Sequence, residues 1–90
     1  MPPGFRKVAE MTRTLPGRPT PVAQIVLSDG VASLSVFIEP AAPARRAEAV
    51  SEDGTTSFYS RPEGDHLVSV LGEVPLGTAQ LVARSVTRRP

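Results

Sequence analysis

The sequence predicts an α+β domain: an antiparallel sheet of about five strands with a C-terminal helix packed on one face. Three observations support this. An Asp29-Gly30 pair separates two apolar runs, a second pair of strand-like segments lies between residues 56 and 72, and apolar residues recur at helical spacing after Pro75. The predicted order is β-β-β-β-β-α, and a helix across one face is the simplest way to bury both apolar stripes.

Residues 5–14 are predicted to form the first strand, with Ala9 and Met11 on the same side, although Val8 interrupts the alternation. Residues 15–21 contain three prolines and a glycine. Because proline cannot donate to a sheet ladder, this segment is predicted to be a loop.

The next two strands are predicted to form a hairpin over residues 22–39, since Asp-Gly favours a two-residue turn. A turn centred on Asp29 and Gly30 places Ser28 opposite Val31. The side that faces the helix then holds apolar pairs, namely Leu27 with Ala32, Ile25 with Leu34, and Ala23 with Val36. The other side is mixed and pairs Val26 with Ser33, Gln24 with Ser35, and Val22 with Phe37.

Residues 41–55 have little apolar content and are predicted to be a mobile surface loop, with a short helix as the alternative. A second hairpin is predicted from residues 56–61 and 66–72. Its turn, residues 61–64, suits a type I turn followed by a glycine bulge. This geometry places Phe58 opposite Val68 on the core side and Tyr59 on the other side.

The last element is predicted to be a helix from Pro75 to about residue 88, with proline at the first helical position, where its missing N–H costs nothing. Its predicted core stripe comprises Leu76, Ala79, Val82, Ala83 and Val86.

Composition excludes several classes of function. The 90 residues form a single domain, 1–90, with a net charge of +1 and no cysteine. This charge does not favour binding to nucleic acid. The sequence also lacks an apolar run of about 18 residues, the length needed to cross a bilayer. The lone His66 lacks the partners that a metal site requires, and no nucleophile elbow or glycine-rich phosphate loop is present. We therefore expect no enzymatic activity and no catalytic, cofactor or metal site.

The mixed second side of the sheet is the candidate functional feature. Its predicted partner-binding residues are Val22, Val26, Val31, Phe37 and Tyr59. A half-solvated sheet that carries valine and tyrosine only because they suit strands explains the pattern equally well. An exposed edge strand could also accept an extended peptide.

Residues 28–40, Ser-Asp-Gly-Val-Ala-Ser-Leu-Ser-Val-Phe-Ile-Glu-Pro, resemble a segment of the RseB/MucB family. Three further features fit the carboxy-terminal domain of that family: Pro3-Gly4-Phe5, Gly64-Asp65-His66 within the second hairpin, and Gly72-Glu73-Val74-Pro75 before the final helix. The similarity extends from Pro3 to Val86.

The resemblance implies a periplasmic negative regulator of envelope-stress sigma-factor signalling. Such a protein binds the periplasmic segment of a membrane-spanning anti-sigma factor of the RseA/MucA type and shields it from proteolysis. The family's N-terminal, lipid-carrier-like domain and its signal peptide have no counterpart here, so the chain is expected to be an isolated C-terminal domain. The alternative is a structural or self-association domain that orients the lipid-sensing N-terminal domain or forms a homo-oligomer.

Overall fold

The computed structural model describes residues 4–14, 16, 21–40 and 47–86. Within them, six strands form one antiparallel sheet in the order β1-β2-β3-β6-β5-β4, and one helix follows. The elements are β1 Arg6–Arg13, β2 Val22–Ser28, β3 Ser33–Pro40, β4 Ala49–Asp53, β5 Thr56–Glu63, β6 His66–Gly72 and α1 Leu76–Ser85. The predicted architecture is confirmed, with one strand more than expected.

The predicted register of the β2–β3 hairpin is wrong by two residues. Leu27 lies opposite Leu34 rather than Ala32, and Ser28 lies opposite Ser33. A shift of two residues leaves every side chain on its predicted side of the sheet because side chains alternate with a period of two. The apolar and mixed sides of this hairpin are therefore as expected.

Local hydrogen bonds explain the shift. The Asp29 N–H donates to the Ala32 carbonyl at 3.2 Å, so the chain reverses at Gly30 and Val31, one residue later than predicted. Asp29 Oδ1 accepts from the N–H groups of Val31 and Ala32 at 2.9 and 2.7 Å, and Gly30 has a φ of 93°. The Asp29 side chain thus organises the turn from its first position.

The β5–β6 hairpin corrects a second register prediction. Its turn is the two-residue loop Gly64-Asp65, in which Gly64 has a φ of 61° and Glu63 lies opposite His66. A positive φ at the first loop residue is what a type II′ turn requires, so Gly-Asp was the informative pair. Phe58 consequently lies opposite Leu71, not Val68, and Tyr59 lies opposite Val70.

This register exchanges the predicted sides of β5. Tyr59 belongs to the helix side and is 1% exposed, whereas Phe58 belongs to the other side. Pro62 is part of the strand, opposite Leu67. In this register the Pro62 nitrogen points away from β6, toward the side on which β4 lies. The β4–β5 ladder ends at Ser60, so no N–H donor is needed at Pro62.

The prediction of a loop over residues 41–55 is wrong for its second half. Ala49–Asp53 form β4, which pairs with β5 through the two-residue loop Gly54-Thr55. Residues 41–46 lie outside the described residues. All five residues of β4 are exposed, which explains why the segment lacks an apolar pattern.

The core lies between the sheet and α1, which packs against β5 and β6. Val36, Val70, Ala79, Val82 and Ala83 are fully buried there. The helix follows Pro75, whose carbonyl accepts from the Ala79 N–H at 3.1 Å, and it ends at Ser85, earlier than predicted. No helix within the described residues is long and apolar enough to span a membrane.

Candidate protein-binding face

The side of the sheet opposite α1, called the open face below, carries alternating apolar and hydroxyl side chains. Register places two cross-strand rows on it. One row runs through Ala9, Val26, Ser35, Leu71 and Phe58, and the next runs through Met11, Gln24, Phe37, Ser69 and Ser60. Val26 and Leu71 therefore each lie beside Ser35, and Phe37 lies between Gln24 and Ser69.

Hydrogen bonds between side chains fix the polar part of the open face. Arg13 Nε donates to Gln24 Oε1, and Gln24 Nε2 donates to Ser35 Oγ at 3.2 Å. On the neighbouring strands, Ser69 Oγ donates to Ser60 Oγ at 3.3 Å. These bonds satisfy polar groups within the sheet, where Ser60 and Ser69 are buried.

The predicted partner-binding residues separate into three environments. Val26 and Phe37 lie half-buried on the open face, as predicted. Val22 shares this face but is 1% exposed, so it offers almost no area to a partner. Of the five, Val26 and Phe37 are the two that remain candidates on the open face.

The other two predicted residues lie elsewhere. Val31 is 97% exposed at the tip of the β2–β3 turn. Tyr59 is buried beneath α1, where its hydroxyl donates to the carboxylate of Glu48. This hydrogen bond, together with burial, raises the pKa of Tyr59, while Arg84 acts in the opposite direction. Placing Tyr59 on the second side was wrong because the predicted turn shifted β5 relative to β6.

The sequence interpretation missed Phe58 and Leu71 as members of the open face. Leu71 is 41% exposed and stands between Ser35 and Phe58 in the same row. Recognising Gly64-Asp65 as the turn would have found Phe58. Alternation with Val68 and Val70 already placed Leu71 on this side. Together with Val26 and Phe37 they form an apolar patch across four neighbouring strands, the composition expected of a protein contact rather than a reactive site.

A groove of about 600 Å³ extends the patch at one end of the sheet. It lies between the β2–β3 turn and the end of β6, and it is lined by Val31, Ala32, Ser33, Thr56, Leu71, Gly72 and Glu73. Leu71 thus belongs both to the open face and to this groove, which connects Val31 to the patch.

The described residues supply little reactive chemistry. They contain no group of three or more His, Cys, Asp or Glu side chains that could hold a metal ion. His66 Nδ1 lies 2.7 Å from Asp65 Oδ1, a contact between neighbours at a turn. The arrangement can bind through apolar contact and hydroxyl hydrogen bonds.

Comparison with known proteins assigns the family. The family model of the MucB/RseB C-terminal domain matches residues 1–87 of this chain. The chain belongs to this family. The chain is also 43% identical over 90 residues to the sigma factor AlgU regulatory protein MucB of Pseudomonas aeruginosa, covering 96% of this chain and 28% of that protein. The resemblance found in the sequence is thereby confirmed.

Solved structures of related proteins share the fold. One is the complex of Pseudomonas aeruginosa MucA and MucB, with a TM-score of 0.85 and 42% identity over 100% of this chain and 32% of the solved one. A second is a crystal structure of MucB in complex with periplasmic MucA, with a TM-score of 0.84, 42% identity, and coverage of 100% and 34%. The chain therefore spans about a third of the length of these relatives.

Proposed function

We propose that this domain is a protein-binding module that contacts the periplasmic segment of a MucA-type anti-sigma factor. The observation that carries the proposal is the match, over the whole chain, to MucB in structures that also contain MucA. Family membership adds support, because relatives at this identity share their fold. In this proposal the domain acts in the periplasm by binding, without catalysis.

The open face is the proposed contact surface. Val26, Phe37, Phe58 and Leu71 provide an apolar centre, and Ser35 lies between Val26 and Leu71. Interfaces concentrate their binding free energy in a few well-packed central residues, often aromatic, surrounded by polar groups. Val31 extends the surface toward the groove at the end of the sheet.

The proposed consequence of binding is steric. A regulator that covers the periplasmic segment of the anti-sigma factor denies that segment to a protease. Because the chain spans about a third of its relatives, the remainder of a longer protein would contribute to the same protection.

The test is a calorimetric titration of the 90-residue domain with the periplasmic segment of MucA. Val26→Lys and Leu71→Lys each place a charge in the apolar centre and should weaken binding at least about tenfold, or 1.4 kcal/mol. Leu81→Lys is the matched control, since Leu81 is 59% exposed on the helix, away from the open face. Thermal unfolding must show that the variants remain folded. Equal affinity of all folded variants would refute the open face as the contact surface.

The second candidate is a structural role, in which the open face packs against the N-terminal, lipid-carrier-like domain or a second copy of the chain. The chain spans only about a third of its relatives, and the rest of such a protein also needs a surface on which to dock. This observation supports the structural role. Failure of the isolated domain to bind the MucA segment, with binding recovered in a two-domain protein, would support this role. Sedimentation of the domain alone would detect self-association.

A further inference from the structure

The two edges of the sheet differ in how they are protected. β1 carries Lys7 and Arg13 and has an irregularity in its pairing between Lys7 and Ala9, next to Val8. Basic side chains and bulges are the features by which natural sheets prevent unwanted strand pairing at an edge. The β1 edge is therefore poorly suited to accept another strand.

The β4 edge has no basic residue and no bulge, and its only charges are the acidic side chains of Glu52 and Asp53. Ala49–Asp53 pair with β5 in continuous register, without a bulge, and within the described residues no strand lies beyond them. The segment contains neither proline nor lysine. A regular edge of this kind is a template for an additional strand.

The backbone groups available for pairing follow from the β4–β5 turn. A two-residue loop makes Asp53 and Thr56 a hydrogen-bonded pair. Hydrogen-bonded and non-hydrogen-bonded pairs alternate along an antiparallel ladder, so Ser51 also bonds to β5. Val50 and Glu52 consequently direct their N–H and C=O groups outward, which gives an incoming strand two donors and two acceptors.

Side chains at the same two positions define the chemistry of that strand. Val50 pairs with Tyr59, so the side chains of Val50 and Glu52 lie on the helix side of the sheet. Val50 is 51% exposed. An incoming strand would place one residue beside Val50, where an apolar side chain fits. The residue two positions further along that strand would lie beside Glu52.

A groove beside Glu52 indicates a basic residue at that second position. The groove has a volume of about 310 Å³ and lies between the end of β4 and the segment before α1. Both Glu52 and Glu73 line it, and Thr55 Oγ1 donates to Glu73 Oε1 at 3.4 Å. A long basic side chain would reach two carboxylates there while its backbone pairs with β4.

We propose that the outer edge of β4 binds an extended segment of a partner protein in which an apolar and a basic residue alternate with other residues. The segment adds a seventh strand to the sheet, with the apolar side chain on Val50 and the basic one between Glu52 and Glu73. A second β4 edge is a poor occupant because Ala49–Asp53 contain no lysine or arginine to reach the carboxylates of Glu52 and Glu73. This surface is separate from the open face, so the inference does not rest on the function proposed above.

The test uses a capped six-residue peptide in which one valine and two arginines alternate with threonines, added to the ¹⁵N-labelled chain. Saturable amide shifts should concentrate on residues 49–53, with the Val50 and Glu52 N–H groups becoming protected from exchange. The same peptide with N-methyl groups on its pairing edge should not bind, since methylation removes the donors. Equal binding of the N-methylated peptide, or shifts confined to β1 or the open face, would overturn the proposal.

Charge exchange provides the control on specificity. Glu52→Lys should weaken binding of the arginine peptide by about tenfold or more. The same variant should bind a peptide with glutamates in place of arginines more tightly than the parent chain does. Glu10→Lys, which makes the same charge change on the opposite edge, should leave both affinities unchanged. Val26→Lys, on the open face and outside both grooves, should also have no effect, which separates this inference from the proposed function of the open face. Broadening of the β4 amides with protein concentration alone would identify a second copy as the occupant and refute the proposal.

Discussion

The Tyr59 hydroxyl, beneath the helix, donates a hydrogen bond to the carboxylate of Glu48, just before β4. Tyr59 lies opposite Val50 on β4 and Val70 on β6, so one side chain connects the core to the edge of the sheet. Arg84, in the last turn of α1, also interacts with the phenol. The buried tyrosine thereby ties the edge strand, the sheet and the helix to one another.

We predict that Tyr59→Phe lowers the free energy of unfolding by about 1 kcal/mol. The ring would keep its packing, while the hydrogen bond to Glu48 would be lost. Urea unfolding at pH 7 measures the change. Glu48→Gln should cost less, because an amide oxygen can still accept the hydrogen bond. Equal stability of Tyr59→Phe and the parent chain would show that the hydrogen bond contributes nothing.

The pH dependence of the same residue gives a second prediction. The hydrogen bond to Glu48 and burial raise the pKa of Tyr59 above its ordinary value of 10.0. A pKa raised in the folded state favours the protonated phenol, so this stabilisation is complete below pH 10 and is lost as pH rises through the folded-state pKa.

Phenolate absorbance can follow this titration directly, since the chain has one tyrosine and no tryptophan. The folded chain should titrate at higher pH than the urea-unfolded chain. Tyr59→Phe should remove the corresponding fall in stability above pH 10. Coincident titration of the folded and unfolded chains would contradict the prediction.

A third prediction concerns Asp29, whose carboxylate organises the β2–β3 turn. Hydrogen bonds from the Ala32 and Val31 N–H groups lower the pKa of Asp29 below its ordinary value of 3.8. A lowered folded-state pKa stabilises the fold above pH 3.8, and this contribution is lost as pH falls through the folded-state value.

Asp29→Asn tests the turn prediction because asparagine keeps an acceptor but does not titrate. The variant should retain the hairpin at pH 7. Because it does not titrate, it should lose less stability than the parent chain as pH falls below 3.8. Carbon-detected NMR titration of Asp29 checks the direction of the shift. A carboxyl pKa at or above 3.8 would show that the two N–H groups do not donate to it.

These turns also explain how far the fold could be predicted. Apolar alternation around Asp29 placed Leu27 and Leu34 on the correct side, because a register error of two residues preserves the sides of the sheet. The error in β5 was more serious. Choosing the wrong turn before His66 moved Tyr59 to the wrong side of the sheet and Phe58 into the core, because that shift involved an odd number of residues.

The edge strand and much of the site could not be derived from hydropathy. Among the described residues β4 has one sheet neighbour, and its five residues are exposed, so its sequence carries no apolar period. Phe58 became visible as a member of the open face only with the observed register, whereas Leu71 was on that side already by alternation with Val70. Val26 and Phe37 were predictable because the β2–β3 hairpin kept its sides.

The last prediction concerns Gly72, at the end of β6 opposite Leu34. A Cβ added at Gly72 would lie 2.5 Å from Leu34 Cβ and 2.9 Å from Leu34 Cα. Neither atom can move away as the end of a flexible side chain could, so the two strands must separate. Gly72→Ala should lower the free energy of unfolding by about 1–3 kcal/mol, the range expected for overpacking.

Gly77→Ala makes the same chemical change where nothing lies within 4 Å of the added Cβ. Gly77 is in α1, so alanine there should stabilise the chain by up to about 1 kcal/mol through helix propensity. Urea midpoints of the two variants should therefore move in opposite directions from the parent. Because each variant adds one methyl group, opposite shifts would assign the loss at Gly72 to crowding against Leu34 and the Ser33 carbonyl of β3. A stabilising Gly72→Ala would mean that β3 and β6 are further apart at this position than the structure places them.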